Sequence, residues 1–284
     1  MKKLLALAMA LTLCLGLAAC GGDTTDASTD TTDDTAQTGE TVTLTVGATP
    51  APHQEILEQV VDDLAEQGIT LEIRPYNDYV MPNTAVEEGE DDANFFQHIT
   101  YMENFNAERG THLVNAGAIH YEPMGIYAGQ SDSLENIPDG AVIAVPNDAT
   151  NEGRALLLLQ SAGLIKLASD SGLTATELDI EENKHDFKFR SLEAAQLPRS
   201  LDDVDAAVIN GNYAIPAGFN PAKDALLVEG ADSPYANVIA VKAGNENNAD
   251  VQALVKALQS DKVSKYILDT YAGGVLPAFG GPAK

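Results

Sequence analysis

The chain has no tryptophan, two cysteines and few basic residues: 16 Lys and Arg stand against 43 Asp and Glu, a formal charge of −27 at pH 7. Cys14 and Cys20 both lie near the N-terminus, which excludes a disulfide framework or a thiolate metal centre in the rest of the chain. The shortage of bases excludes a nucleic-acid surface or a general affinity for anionic lipid, because a field of this sign repels phosphates. Signatures of catalysis are lacking too. There is no G-x-S-x-G, no Walker loop, no H-E-x-x-H and no G-x-G-x-x-G. The five histidines (His53, His98, His112, His120, His185) are scattered, so a metal centre would have to be assembled in space. No cofactor or metal is expected, and the chain reads as a non-enzyme.

What is present begins with a leader. Lys2 and Lys3 precede an apolar run from Leu4 to Ala19, broken only by Thr12, Cys14 and Gly16. That pattern is a signal-peptide core, short for a spanning helix. It ends in Leu17-Ala18-Ala19-Cys20-Gly21, small residues before a cysteine, which resembles a bacterial lipobox. The expectation is a signal over residues 1–19, lipid on Cys20 and attachment to the extracytoplasmic face of the cell membrane; acyl chains contribute about 0.8 kcal/mol per buried CH₂. Residues 21–40 carry six acids, no base and almost nothing apolar. Such a segment cannot bury enough surface to fold, so 20–40 reads as a lipidated tether. Setting aside Lys2, Lys3 and those six acids leaves −23 on the part from Thr41 onward.

From Thr41 the periodicities alternate. Val42, Leu44 and Val46 predict a strand, a helical stripe covers 54–67 up to Gly68, and Ile69, Leu71 and Ile73 predict a second strand. This is a βαβ unit with a parallel pairing. A strand over 93–97, a helix over 101–108 and one long extended run over 113–128 follow. The pattern then restarts: a strand at 142–145, a loop over 147–151, an apolar helix over 152–162, strands at 187–192, 206–209, 225–228 and 238–241, and helices over 250–259 and 262–271. Two βα-rich halves predict two lobes with a cleft between, and ligands of such sheets sit beyond the carboxyl ends of strands.

Three groups could carry binding chemistry. Asn151 and Arg154 share a helix face at the start of the helix after 147–151. A guanidinium beside free helical N–H groups suits a carboxylate, since its fork donates two bonds. The same residues also read as an ordinary N-cap with an Arg paired to a neighbouring acid. Asn77-Asp78-Tyr79 with Phe95-Phe96-Gln97-His98 and Tyr101 could form an aromatic wall with an imidazole at its edge, fit for an apolar or sulfur-containing side chain; they read equally as core. Asn210-Gly211-Asn212-Tyr213 and Asn237 offer amides to an ammonium or a carboxylate, or simple turn chemistry.

The stretches 76–83, 92–98, 145–160, 192–201 and 232–237, taken in order, resemble the NlpA family of methionine-binding lipoproteins, the solute receptors of methionine ABC importers. The resemblance implies an α/β, two-lobed periplasmic-binding-protein fold (type 2-like) with two hinge strands and a ligand cleft between the lobes. Lobe I would span 41–122 plus 235–284, and lobe II 123–234. It implies that Tyr79, Phe96, His98 and Tyr101 surround a methionine thioether, that Asn151 and Arg154 hold its carboxylate, and that Asn210 and Asn237 complete the polar contacts. The implied partners are L-methionine or a close analogue, an ABC permease with its ATPase, and the membrane through Cys20. The alternatives are a receptor for a methionine-containing dipeptide or another apolar amino acid, and a lipid-anchored hydrolase using His98 as base.

Overall fold

The computed structural model describes residues 41–230 and 234–279; the expectations for the leader, for Cys20 and for the acidic tether lie outside the described residues. Among the described residues there are thirteen strands: β1 (Val42–Ala48), β2 (Ile69–Pro75), β3 (Ala93–His98), β4 (Leu113–Tyr121), β5 (Gly125–Ala128), β6 (Val142–Pro146), β7 (Lys166–Leu167), β8 (Ile180–Glu182), β9 (Lys188–Leu192), β10 (Ala206–Ile209), β11 (Leu227–Val228), β12 (Ala236–Lys242) and β13 (Leu276–Pro277). They form a six-stranded sheet, order β13-β4-β12-β3-β1-β2, a five-stranded sheet, order β11-β5-β10-β6-β9, and a β7-β8 ribbon.

In the first sheet β1 runs parallel to β2, as the strand–helix–strand spacing predicts, and parallel to β3 on its other side. β12 then runs antiparallel to β3 and β4. The helical stripe at 54–67 holds as a burial pattern, with Ile56, Leu57, Val60 and Leu64 all fully buried. It does not hold as one helix. The chain makes an irregular turn at Pro50–Gln54, then helical turns at Glu55–Glu58 and Val61–Ala65. The break falls at Gln59 and Val60, next to the β-branched pair Val60 and Val61, whose stiff side chains lower helix propensity. The core beneath this sheet joins those residues to Leu44, Val46, Ile119, Ile239, Leu254 and Ile267, the last two from the C-terminal helices Ala249–Leu258 and Asp261–Tyr271.

The second sheet is buried on both faces, and its side chains sort by the two-residue alternation of strands. Ile126, Ile143, Val145 and Val208 pack on one side with Leu156 and Leu159 of the helix Ala149–Ser161. Tyr127, Ala144, Ala207 and Ile209 pack on the other with Leu197 and Leu201.

The extended run at 113–128 is where the expectation needs correction. It is two strands, β4 in the first sheet and β5 in the second, with Glu122, Pro123 and Met124 between. Pro123 has no N–H for a ladder, so pairing stops there and the chain crosses from one sheet to the other. It crosses back between β11 and β12. The carboxyl ends of β3, β6 and β10 and both crossings meet in the space between the sheets, and that is where the site forms.

Candidate functional site

Each site residue is placed by an element end. His98 closes β3 in extended conformation and caps the helix Ile99–Arg109: its Nδ1 accepts from the Tyr101 amide at 3.0 Å. That bond leaves the ring proton on Nε2, which donates to Asn151 Oδ1 at 3.2 Å. Burial, then the Arg154 charge, push the imidazole down to about 3, so it is neutral at pH 7.

Asp148 caps the helix Ala149–Ser161 and accepts from the Asn151 backbone at 3.0 Å. Both its oxygens also take the Asn151 side-chain NH₂, at 2.9 and 3.0 Å. Asn151 Oδ1 in turn accepts from Asn210 Nδ2 at 2.8 Å as well as from His98. The Asn151 amide is thus fully engaged and ties the ends of β3, β6 and β10 together. The expected loop over 147–151 is shorter than predicted, because the helix begins one residue after the Asp148 cap.

Arg154 lies one turn further on, on the face expected, and is only 4% exposed. Its Nε and Nη2 donate to the two oxygens of Glu229 at 3.1 and 2.5 Å, and Nη2 also donates to the Glu122 carbonyl at 2.7 Å. The guanidinium sits 4.3 Å from the Tyr235 ring centroid. Of the two readings of this arginine, pairing to an acid describes the structure, and the acid comes from the second crossing between the sheets.

The aromatic group assembles at the same cavity. Tyr79 lies 5.7 Å from Phe96, 5.6 Å from Tyr101 and 5.1 Å from Tyr213, ring centroid to ring centroid. The Tyr101 hydroxyl donates to the Tyr79 carbonyl at 3.0 Å, and the Tyr79 hydroxyl donates to Asn212 Oδ1 at 2.5 Å.

All eight residues predicted from sequence, Tyr79, Phe96, His98, Tyr101, Asn151, Arg154, Asn210 and Asn237, line one narrow cavity between the sheets. Four more line it that were not predicted as ligand contacts: Gln97, Glu122, Gly211 and Asn212. Asn212 belongs to the Asn-Gly-Asn-Tyr motif, so its signal was present. Glu122 is an acid inside an otherwise apolar extended run, a mismatch that could have marked it. Two buried atoms of the cavity have no hydrogen-bond partner, the acceptor Asn210 Oδ1 and the donor Asn212 Nδ2.

Behind the cavity His53, His120 and Glu122 form a buried group whose possible ligating atoms lie within 4.8 Å of one another. The composition would suit a metal, but the spacing is that of hydrogen bonds. His120 Nε2 is 2.7 Å and His53 Nε2 3.1 Å from the same oxygen, Glu122 Oε1. Thr49 Oγ1 at 2.7 Å from His53 Nδ1 and Asn237 Oδ1 at 3.0 Å from its Nε2 complete the network.

Two sheets joined by two crossings, with a cavity where the strand ends meet, define a two-lobed α/β solute-binding protein of the periplasmic-binding-protein class. Within that class the chain belongs to the NlpA lipoprotein family, whose model matches residues 44–279. It is 45% identical over 237 residues to the membrane lipoprotein TpN32 of Treponema pallidum, covering 83% of this chain and 88% of that protein. It is 41% identical over 266 residues to the D-methionine-binding lipoprotein MetQ of Salmonella typhimurium, covering 92% and 93%. A solved nutrient-binding protein of Burkholderia cenocepacia, bound to methionine, is 45% identical with a TM-score of 0.80 and covers 83% of this chain and 100% of its own. Among the described residues no helix is long and apolar enough to cross a membrane.

Proposed function

We propose that the chain is a receptor for L-methionine that works outside the cytoplasm, is held to the membrane by lipid on Cys20, and delivers its ligand to an ABC permease and its ATPase. Lobe I takes residues 41–122 and 235–284, lobe II residues 123–234, and the two crossings serve as the hinge. The observation that carries the reading is the mixed lining of the cavity. Part of it is the cluster of Tyr79, Phe96 and Tyr101, which suits a thioether through its polarisable sulfur. The same cavity offers Arg154 and the unpartnered donor of Asn212 to a carboxylate, and the unpartnered acceptor of Asn210 to an ammonium. An orphaned buried polar atom costs about 1–3 kcal/mol, which a ligand group of matching chemistry recovers. Arg154 would share its fork between Glu229 and the ligand, while Asn151, bonded on both sides, would hold the frame. The relative solved with methionine and the relative named for D-methionine support methionine as the ligand, and neither name states the L form.

A catalytic role for His98 fits poorly. One ring nitrogen caps a helix, the other donates to Asn151, and the imidazole is far too weak a base at neutral pH. Nucleophile and base within reach of one another are the mark of such chemistry, and the cavity wall offers amides and tyrosines instead.

The test of ligand identity is mass spectrometry of small molecules released by denaturing the purified protein. Methionine is the expected species, and chiral chromatography should give the L form. A methionine-containing dipeptide or a different amino acid in its place would overturn the assignment.

A further inference from the structure

Gln97 lines the cavity beside Phe96 but has no part in the reading above. Its amide is taken up by two other buried amides. Gln97 Nε2 donates one hydrogen to Asn83 Oδ1 at 2.6 Å and the other to Asn94 Oδ1 at 2.9 Å. Gln97 Oε1 accepts from Asn83 Nδ2 at 2.9 Å. Asn94 Nδ2 closes the triad, donating to Asn83 Oδ1 at 2.9 Å and to the Pro82 carbonyl at 3.1 Å. Asn83 stands in the first turn of the helix Met81–Glu88, and Asn94 and Gln97 stand on β3, so the triad forms between two elements.

The neighbouring polar groups of the cavity are engaged in the same way. The Tyr79 hydroxyl donates to Asn212, the Tyr101 hydroxyl to the Tyr79 carbonyl, and His98 Nε2 to Asn151. A hydroxyl has one hydrogen to give, a neutral imidazole one and an amide two. Tyr79, Gln97, His98 and Tyr101 therefore keep none for a ligand, and this part of the lining acts as an apolar surface although its side chains are polar. Arg154 and Asn212 Nδ2 are committed to the carboxylate in the reading above. A thioether needs no donor. Its sulfoxide carries a polar oxygen, and burying that oxygen unpaired is costly. We infer that Asn83 and Asn94 determine the specificity of the site for the reduced thioether: by occupying both hydrogens of the cavity-lining Gln97 amide, they deny a hydrogen bond to the oxygen of methionine sulfoxide. This rests on the methionine reading. It adds a discrimination by oxidation state that contacts to the amino-acid head cannot supply, because both ligands share that head.

The experiment compares L-methionine with L-methionine sulfoxide. Affinities of the parent protein, of Asn83→Ala and of the double variant Asn83→Ala with Gln97→Leu are measured by calorimetry, with competition against bound methionine for the weaker ligand. The parent should prefer methionine by about 100-fold, the scale on which an apolar pocket rejects an added polar oxygen. Asn83→Ala releases one Gln97 hydrogen, and the preference should narrow about tenfold, as for one hydrogen bond regained. Adding Gln97→Leu removes the released amide and should restore the parent's preference, which a mere loosening of the cavity would not allow. Asn94→Ala releases the other hydrogen and serves as the test if Asn83→Ala does not fold. Equal affinity of the parent for the two ligands, an unchanged preference in the single variant, or a narrowing that survives in the double variant overturns the inference and leaves the methionine reading standing. Failure of the parent to bind methionine at all overturns that reading first.

Discussion

His98 does three things at once, and each constrains the others. It ends β3, caps the following helix through Nδ1 and reaches Asn151 through Nε2. The cap requires the neutral ring, because a protonated Nδ1 cannot accept from the Tyr101 amide. Its folded value of about 3 lies below the ordinary 6.5, so below pH 6.5 the unfolded chain takes up a proton that the folded chain refuses. Stability is lost as pH falls from 6.5 toward about 3. Between pH 6.5 and 5.5 one such histidine removes about 1 kcal/mol. Asn caps helices as well as any residue, so His98→Asn should fold and should lose about 1 kcal/mol less than the parent over that interval, measured by urea unfolding. Glu122 and Asp148, raised by burial, act in the opposite sense but in both proteins alike. Equal pH dependence in parent and variant would mean that His98 is not held neutral. At this scale the sequence was most informative where the relevant partners are local. Asn151 and Arg154 are three apart, and helical geometry alone puts them on one face. Glu122 was missed because two of its partners, His53 from before the first helical turns and the Asn212 backbone just after β10, reach it only through the fold.

The elements carry the site only as well as they pack, and Gly153 shows the tolerance. It lies between Asn151 and Arg154 on the helix Ala149–Ser161, where the segment Gly172–Thr174 crosses closely. A Cβ at 153 would stand 2.4 Å from the Leu173 carbonyl and 2.8 Å from the Ala175 amide, both backbone atoms that cannot swing aside. Alanine is favoured over glycine by about 1 kcal/mol inside a helix, so propensity alone predicts a gain from Gly153→Ala. Overpacking costs about 1–3 kcal/mol, and here it should win: the variant should melt at a lower temperature than the parent. A higher melting temperature would show that the crossing segment yields freely. Strand and helix identities followed from periodicity, which survives in the burial pattern. What periodicity could not give was continuity. The stripe at 54–67 is two helical turns because β-branched neighbours interrupt it, and the run at 113–128 is two strands in different sheets because an apolar stretch looks the same whichever sheet it joins. Pro123 was the visible sign of the crossing.

At the scale of the whole molecule, the two sheets are linked across the cavity by direct bonds: Tyr79 to Asn212, His98 to Asn151, and the Tyr213 hydroxyl to the Asn77 carbonyl at 3.3 Å. A ligand that touches both sides adds to these links and favours the joined arrangement by its differential contacts alone. A hinge running through two short crossings is the general means by which such lobes close. The two-lobed plan was legible because strand and helix patterns restart midway, whereas the closeness of the lobes was not, since it depends on a handful of side chains from distant segments. The central claim is that the cavity binds methionine across both lobes with Arg154 at the carboxylate end. The most direct measurement is titration calorimetry with L-methionine on protein unfolded and refolded to remove retained ligand, in parallel with Arg154→Ala. The parent should bind one methionine per chain, and Arg154→Ala should bind weaker by a factor of at least about 30, in keeping with the 2–5 kcal/mol lost when a buried charged partner is truncated. No heat from the parent at millimolar methionine, or unchanged affinity in Arg154→Ala, would contradict the account.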